Sequence, residues 1–373
     1  MRLFLLPNYT EELPSVGQIR LWAEDLGFSS VGISDIDLTH EHDRFKQWLR
    51  KGYAGDMNYL HRNIRKRMHP DELVPETHRI ISVTMNYLSP KTNPEQALQD
   101  KNKAYIARYA LGRDYHKLMR KRLVKLADKI SVSIPYQKYR VFADSAPVLE
   151  KPIGAKAKLG WIGKHTLLLN KDAGSWFFLG EIFTNAPLPT EDKEIANECG
   201  KCSACMTVCP TNAIIGPQKL QANKCISYLT IEHKGIIPED LREPIGNRIF
   251  GCDDCQIFCP WNRTPTHSTE PDFEPRNNLD NANLLKLFKM SASDFEQITI
   301  GSPLRRINYE QWQRNLAIAI GNSGGSPLAI QILLEKLTSC SEMVAEHINW
   351  AINQLEKRSI SEKSVLDKPS AHL

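Results

Sequence analysis

Eight of the nine cysteines in this 373-residue chain fall into one array: Cys199-x₂-Cys202-x₂-Cys205-x₃-Cys209-Pro210, then Cys225, then Cys252-x₂-Cys255-x₃-Cys259-Pro260. The first run has the pattern that holds paired 4Fe–4S cubanes, in which the fourth cysteine ligates the other cluster. Short spacings let three neighbouring thiolates reach three irons of one cube. The fourth, set off by three residues and a turn-forming proline, points away and needs a second cube. That crossing rule assigns Cys199, Cys202, Cys205 and Cys259 to one cluster, and Cys209, Cys225, Cys252 and Cys255 to the other. The chemistry is one-electron storage and relay. Because Cys225 lies far upstream of Cys252, residues 226–251 form an insertion inside the cluster-binding unit, expected to serve something besides electron storage.

Two other uses of cysteine fit less well. Zinc needs four ligands, and it leaves unexplained a third cysteine at x₂ spacing followed by x₃-Cys-Pro. Disulfides suit short secreted chains; the opening MRLFLLP has too short an apolar run for a signal peptide, and no small-residue cleavage site follows it. The ninth cysteine, Cys340, lies in a helical stretch and is expected to be a buried small hydrophobe.

Outside the array, chemical signals are sparse. The segment from Gly160 to Thr166 imitates a phosphate loop but fails as one, because Lys158 stands at the first glycine position and His165 follows the lysine. Asp144, just after a predicted strand, is the carboxylate of most interest, since α/β folds place their sites at strand ends; a turn or helix-capping role is the competing reading. Basic residues gather at 101–129 (Lys101, Lys103, Arg108, Arg113, Lys117, Arg120, Lys121, Arg122, Lys125, Lys129), at 62–67, and at Arg305, Arg306 and Arg314. Each group alone fits a solvated face. Interleaved with Tyr105, Tyr109, Tyr115, Tyr309 and Trp312, they point toward nucleic acid.

The elements that must position these residues can be read from periodicity. Val16, Ile19, Trp22, Ala23 and Leu26 recur at helical spacing, with Ser15 as N-cap and Gly27 as stop. Residues 31–36, 79–88, 139–143, 166–170 and 175–184 read as strands, and 42–49 and 114–130 as helices. Such alternation predicts an α/β or α+β layer fold. Residues 262–283 read as a linker or surface loop. Beyond them come helices at 309–321, 327–337 and 343–355, with fraying after Ser359. At 41% hydrophobic and 24% charged residues the composition is that of a globular chain. No run approaches the roughly 18 apolar residues a membrane span requires.

These motifs together resemble the epoxyqueuosine reductases, the cobalamin-dependent iron–sulfur enzymes that complete queuosine synthesis on tRNA. The resemblance covers nearly the whole chain. It rests on Arg65-Lys66-Arg67-x-x-Pro70, Gly112-Arg113-Asp114-Tyr115-His116, Asp144 with Pro147-Val148-Leu149-Glu150, Gly160-Trp161-x-Gly163-Lys164, Gly174-Ser175-Trp176, Cys225-Ile226-Ser227-Tyr228-Leu229-Thr230, and Ile245-Gly246-Asn247-Arg248 leading into Cys252-Asp253-Asp254-Cys255. It implies a cobalamin-binding α/β catalytic domain over 1–188, a ferredoxin-like two-cluster domain over 189–270, and a HEAT-like helical, tRNA-binding region over 271–373. Asp114-x-His116 is followed by Met119 where a histidine-on cobalamin motif needs glycine, which agrees with a family that binds the corrinoid without such a cobalt ligand.

By similarity, cobalamin would contact Arg67, Ala107, Asp144, His165, Leu168, Leu179, Ser227 and Asp253, part of them from the 226–251 insertion. Asp144 would be the general acid that opens an epoxide on the wobble base, with its pKa raised well above the usual ~3.9 by burial. The partner would be a tRNA anticodon stem-loop with the base splayed out, and the protein a cytoplasmic monomer served by an external electron donor. A reductive dehalogenase-like corrinoid enzyme for a small molecule and a plain two-cluster electron-transfer protein are the readings it competes with.

Overall fold

The computed structural model describes residues 13–134, 137–190 and 195–366, so the opening MRLFLLP lies outside the described residues. The first helix, α1 (Val16–Asp25), starts where Ser15 accepts a hydrogen bond from the Gln18 N–H at 3.1 Å. It ends before Gly27, whose φ of +80° favours glycine. Ile19 and Ala23 face inward. The chain then enters β1 (Ser30–Ser34), α2 (Thr39–Arg50) and β2 (Arg79–Asn86).

A four-stranded sheet forms from β1, β2, β3 (Tyr139–Phe142) and β4 (Phe177–Thr184), in the order β1-β2-β4-β3. Every pairing is antiparallel. The layer fold expected from helix–strand alternation is therefore of the α+β kind. Both faces of the sheet are covered, so β2 reads as an apolar run and its sequence carries no mark of direction. On one face lie α1 and the long basic α3 (Tyr115–Ser133), which buries Met119, Leu123 and Leu126. On the other lies α4 (Glu150–Lys156). It comes so close that a Cβ on Gly32 would sit 1.7 Å from the carbonyl oxygen of Ala157. The strand expected over 166–170 shrinks to Leu168–Leu169, paired with Trp161–Ile162.

The largest core joins residues from 104–111, 226–250 and 279–355. Here α5 (Ile226–Ile231), the first part of the insertion, packs on α6 (Tyr309–Gly321), with α7 (Pro327–Leu337) and α8 (Glu342–Leu366) outside it. Strand Arg248–Phe250, at the insertion's end, pairs in parallel with Tyr105–Ile106. The insertion thus joins the segment at 104–111 to the C-terminal helices. Cys340, expected to be buried, is half-buried against this core. Helix α8 continues past Ser359, where fraying was expected; residues 367–373 lie outside the described residues.

Residues 262–283 form a surface loop, as expected, anchored by Phe273 buried against Phe178, by Glu270 paired with Arg122 of α3, and by the Arg113 N–H donating to the Asp272 carbonyl at 2.6 Å. One expectation fails here. Arg314 and Trp312 belong to no nucleic-acid patch, because both are fully buried in α6. The Arg314 guanidinium donates to the carbonyls of Leu229, His233 and Gly235, each at 2.8 Å, closing the carbonyl end of α5. Tyr105 and Tyr115 are also buried, and Arg108 stacks on the Tyr105 ring at 4.4 Å.

Candidate active site

The cysteine thiols form two neighbourhoods. Cys205, pushed up to about 11 chiefly by burial, has Cys259, Cys199 and Cys202 as its charged neighbours. Cys225 and Cys255 lie near one another and near Cys209, while Cys252 has Cys225 beside it. Four thiols crowded in a buried place cannot all ionise without countercharge, and iron supplies it. Among the described residues no three His, Cys, Asp or Glu side chains converge on a single metal ion. A cubane, whose four thiolates bind four different irons, needs no such convergence.

The false phosphate loop turns out to be a clamp on the first cysteine run. Trp161 stacks edge-on against Trp261 at 5.1 Å, and its indole N–H points at Cys199 Sγ at 3.5 Å. The Lys164 ammonium donates to the carbonyls of Gly200 and Cys202 at 2.7 and 2.6 Å. Gly160 is required because a Cβ there would lie 1.9 Å from the Leu169 carbonyl oxygen. Near the second group, Arg248 forms a buried pair with Asp254, which in turn accepts from the Cys252 thiol at 2.9 Å.

Between the sheet's edge and the cysteine unit opens a two-lobed cleft of about 650 and 380 Å³. The lobes meet at Tyr115, Lys151, Thr166, Phe177 and Phe178. The outer lobe includes Arg67, Asp144 and Leu179; the inner one includes Ala107, His165, Ser227 and Asp253 and ends on Cys209, Cys225, Cys252 and Cys255. Seven of the eight residues that similarity assigns to the corrinoid therefore line one cavity. Leu168 stands one layer behind, buried against Gly154 of α4.

Phe177, Phe178 and Leu179 give the cleft an apolar lining, and polar side chains stand around it, as a macrocycle fringed with amides requires. Two buried wall atoms, Arg67 Nε and His165 Nε2, lack partners among the described residues. The Leu167 N–H donates to His165 Nδ1 at 3.1 Å, and burial holds the imidazole down to about 4. The neutral ring therefore carries its proton on Nε2 and is a hydrogen-bond donor there, not a metal ligand. Asp253, buried at the inner end, accepts from Tyr105 Oη at 2.7 Å and from the Arg108 N–H at 2.8 Å. These residues fit a corrinoid held through amide and phosphate contacts with no histidine on the metal.

Asp144 stands at the mouth of the cleft in the turn after β3, with φ of +59°, a conformation non-glycine residues rarely hold. It caps no helix: Leu149 stands at the N-cap position of α4, which has no side-chain capping hydrogen bond. Its Oδ2 accepts from Tyr115 Oη at 2.8 Å and from His116 Nε2 at 3.2 Å. On the far side, His116 Nδ1 meets Asp114 Oδ1 at 2.6 Å. Oδ1 of Asp144 has no hydrogen-bond partner among the described residues, and 56% of the side chain remains exposed to the open cleft. The turn is held by the Asp144 N–H, which donates to Glu150 Oε1 at 2.6 Å.

Electrostatics overturns one expectation. Burial does push the Asp144 carboxyl up, but hydrogen bonds from His116 and Tyr115 and the His116 charge outweigh it, and the pKa is lowered. The proton sits next door. Burial alone would lower His116; its bonds to Asp114 and Asp144 instead raise it to about 9. Burial, and then the Asp144 charge, push Glu150 up to about 8. Sequence reasoning named Asp144 but missed Tyr115, His116 and Glu150 as its partners. The signal was available in Asp114-x-His116, a cap residue followed by a histidine on the first turn of α3.

Comparison with known proteins agrees with this geometry. Residues 67–145 match the family model described as epoxyqueuosine reductase QueG, DUF1730, and residues 198–262 match a 4Fe-4S double cluster binding domain. The chain is 51% identical over 336 residues to the epoxyqueuosine reductase of Pseudomonas aeruginosa, covering 90% of this chain and 93% of that one. It is 48% identical over 343 residues to that of Escherichia coli, covering 92% and 90%. A crystal structure of an epoxyqueuosine reductase with an epoxyqueuosine-modified tRNA-Tyr stem loop superimposes with a TM-score of 0.83, at 26% identity, over 95% of this chain and 94% of that one. With half its residues shared with curated relatives over nine-tenths of its length, the chain belongs to the epoxyqueuosine reductase family.

Proposed function

We propose that this chain reduces epoxyqueuosine to queuosine at the wobble position of tRNA, with two 4Fe–4S clusters feeding electrons to a cobalamin in the cleft. The observation that carries the reading is Asp144 itself: a carboxylate held at the cleft mouth by Tyr115 and His116, with Oδ1 free to meet a substrate oxygen. Cys199, Cys202, Cys205 and Cys259 would hold one cluster; Cys209, Cys225, Cys252 and Cys255 would hold the other, at the inner end of the cleft. Bound cobalamin supplies a strongly reducing, nucleophilic metal centre. Arg67, Ala107, His165, Leu179, Ser227 and Asp253 would line its pocket, with Leu168 behind.

The task of the protein side chains is the proton. Opening an epoxide makes an alkoxide, a poor leaving group, and a positioned acid contributes roughly 10²–10⁴ in rate. At neutral pH the proton of the Asp144–His116 pair resides on the imidazole. Asp144 takes it through Oδ2 and delivers one to the substrate oxygen through Oδ1. Asp114 holds the His116 ring for that transfer, and Tyr115, stacked on Phe178 at 3.7 Å, fixes the carboxylate against the apolar wall. The oxygen leaves as water after two protons and two electrons.

The reading extends to the chain's organisation. Residues 1–188 form the catalytic unit, 189–270 the electron relay, and 271–373 a HEAT-like helical region that helps hold tRNA. Lys117, Lys121 and Lys125 on the exposed side of α3 would neutralise phosphates, joined by the exposed Arg120 and Arg305; Arg306 is exposed too but is paired with Glu232. The protein acts as a cytoplasmic monomer; no helix among the described residues is long and apolar enough to cross a membrane. Nucleoside analysis of tRNA from a strain lacking the gene tests the reading: accumulated epoxyqueuosine supports it, and normal queuosine refutes it.

A further inference from the structure

The hairpin that clamps the first cysteine run also brings a hydrogen-bond donor to one of its sulfurs. Trp161 pairs with Leu169 in the short ladder, and the two form a buried cluster with Cys259, packed against Cys199 and Trp261. Only 4% of Trp161 is exposed, and its indole N–H reaches Cys199 Sγ at 3.5 Å. Three residues on, Lys164 holds the carbonyls of Gly200 and Cys202. The cysteine turn is closed on its own side as well. The Cys202 N–H donates to the Cys199 carbonyl and the Cys199 N–H to Asn197 Oδ1, each at 3.0 Å. Backbone bonds and Lys164 thus already fix where Cys199 stands. Packing against Trp261 and Leu169 asks only for a large aromatic ring, which phenylalanine also supplies. What tryptophan alone brings to this place is the N–H.

A hydrogen bond to a cluster thiolate strengthens as negative charge on the sulfur grows. An added electron places part of its charge on the ligating sulfurs, so a fixed N–H favours the reduced form and raises the potential. Burial enlarges the effect, because little water competes for the sulfur. The two thiol groups are placed differently. The one with Cys199 includes the exposed Cys202, whereas the one with Cys225 and Cys255 ends the inner lobe of the cleft. Electrons from an external donor therefore enter on the Cys199 side. In the inner group, Cys209 Sγ accepts from the Ala213 backbone N–H at 3.2 Å, a donor that any non-proline residue supplies.

We propose that Trp161 sets the potential of the cluster held by Cys199, its indole N–H raising it so that this cluster accepts electrons from the donor. This rests on the cluster assignment and function proposed above. In each transfer the external donor loses one electron and the cluster gains it; no proton moves and no bond is made or broken. Trp161 touches neither the substrate nor the reacting atoms, so it is a positioning residue that acts through Cys199.

The test is Trp161→Phe in the cluster- and cobalamin-loaded protein, read by potentiometry with electron paramagnetic resonance detection. Loss of the N–H should make reduction of one cluster about fivefold less favourable, a shift of about 40 mV to lower potential at ~59 mV per decade, with the other cluster unmoved. Trp261→Phe disturbs the same packing but keeps the bond to Cys199, and should leave both midpoints in place. Turnover with a donor poised near the wild-type midpoint should fall by a similar factor in Trp161→Phe. KM for the stem-loop should stay unchanged, and a strongly reducing donor should remove the loss. A readout free of substitution is wild-type protein whose tryptophans carry the heavy isotope at the indole nitrogen. Pulsed resonance of its reduced clusters should show a hyperfine coupling to that nitrogen. Equal midpoints in Trp161→Phe and wild type, an equal shift in Trp261→Phe, or absence of the coupling overturns the proposal. A wild type that binds no 4Fe–4S clusters instead overturns the reading on which it rests.

Discussion

Replacing His116 by Gln tests the electrostatic account of the site, because the imidazole is expected to be charged at neutral pH and to hold Asp144 ionised. His116 is raised from 6.5 to about 9 by Asp114 and Asp144, and only 25% of its side chain is exposed. At 1.36 kcal/mol per unit, this is about 3 kcal/mol favouring the imidazolium in the folded chain. The folded value lies above the unfolded one, so this contribution is fully present below pH 6.5 and is lost as pH rises through about 9. Gln can replace one hydrogen bond but not the charge. Urea unfolding followed by tryptophan fluorescence should find His116→Gln less stable than wild type by about 3 kcal/mol at low pH. The gap should close as pH rises past the folded value. A gap that stays constant across that range, or widens, refutes the argument: His116 would then be neutral and Asp144 would have to carry its own proton.

Further outcomes follow from the same geometry. Asp144→Asn should keep its visible iron–sulfur absorption and lose roughly 10²–10⁴ in turnover; loss of the clusters would instead mark it as structural. Cys225→Ser should lose about half of its iron while Cys340→Ser loses none, since only Cys225 belongs to the array; equal iron content in both would undo the ligand assignment. Lys117→Glu with Lys121→Glu should weaken stem-loop binding and flatten its dependence on log salt, by about 0.7–0.9 per phosphate contact removed. Arg314→Met should leave that slope unchanged and destabilise the fold by about 3 kcal/mol or more, because the carbonyls of Leu229 and His233 lose their donor.

The cysteine array was legible because its motif is written in short local spacings, and the thiols gather in two neighbourhoods. Helix α1 was legible for a similar reason: Ser15, the apolar stripe and Gly27 all lie within one short segment. What escaped the sequence depends on distant partners. Arginine is written alike whether it is solvated, as Arg305 is, or buried against the carbonyls of another helix, as Arg314 is. The polar stretch at 262–283 is the surface loop its composition predicts, but its anchoring to α3 through Glu270 depends on a partner, Arg122, far away in the chain. The Asp144–His116 pair joins residues 28 apart in the chain, and only the packing of α3 against the turn after β3 brings them together. Its consequence was unforeseen: burial was expected to raise Asp144, and the neighbouring imidazole reverses the sign.

In the function proposed above, the chain removes one oxygen from the modified wobble base using a proton handled by Asp144. The most direct measurement incubates the purified, cluster- and cobalamin-loaded protein with an epoxyqueuosine-bearing anticodon stem-loop and a low-potential reductant, followed by mass spectrometry of the released nucleosides. Queuosine formed by the wild type, with epoxyqueuosine left intact by Asp144→Asn, is the expected result. Intact epoxyqueuosine in the presence of fully loaded wild-type protein would contradict the account.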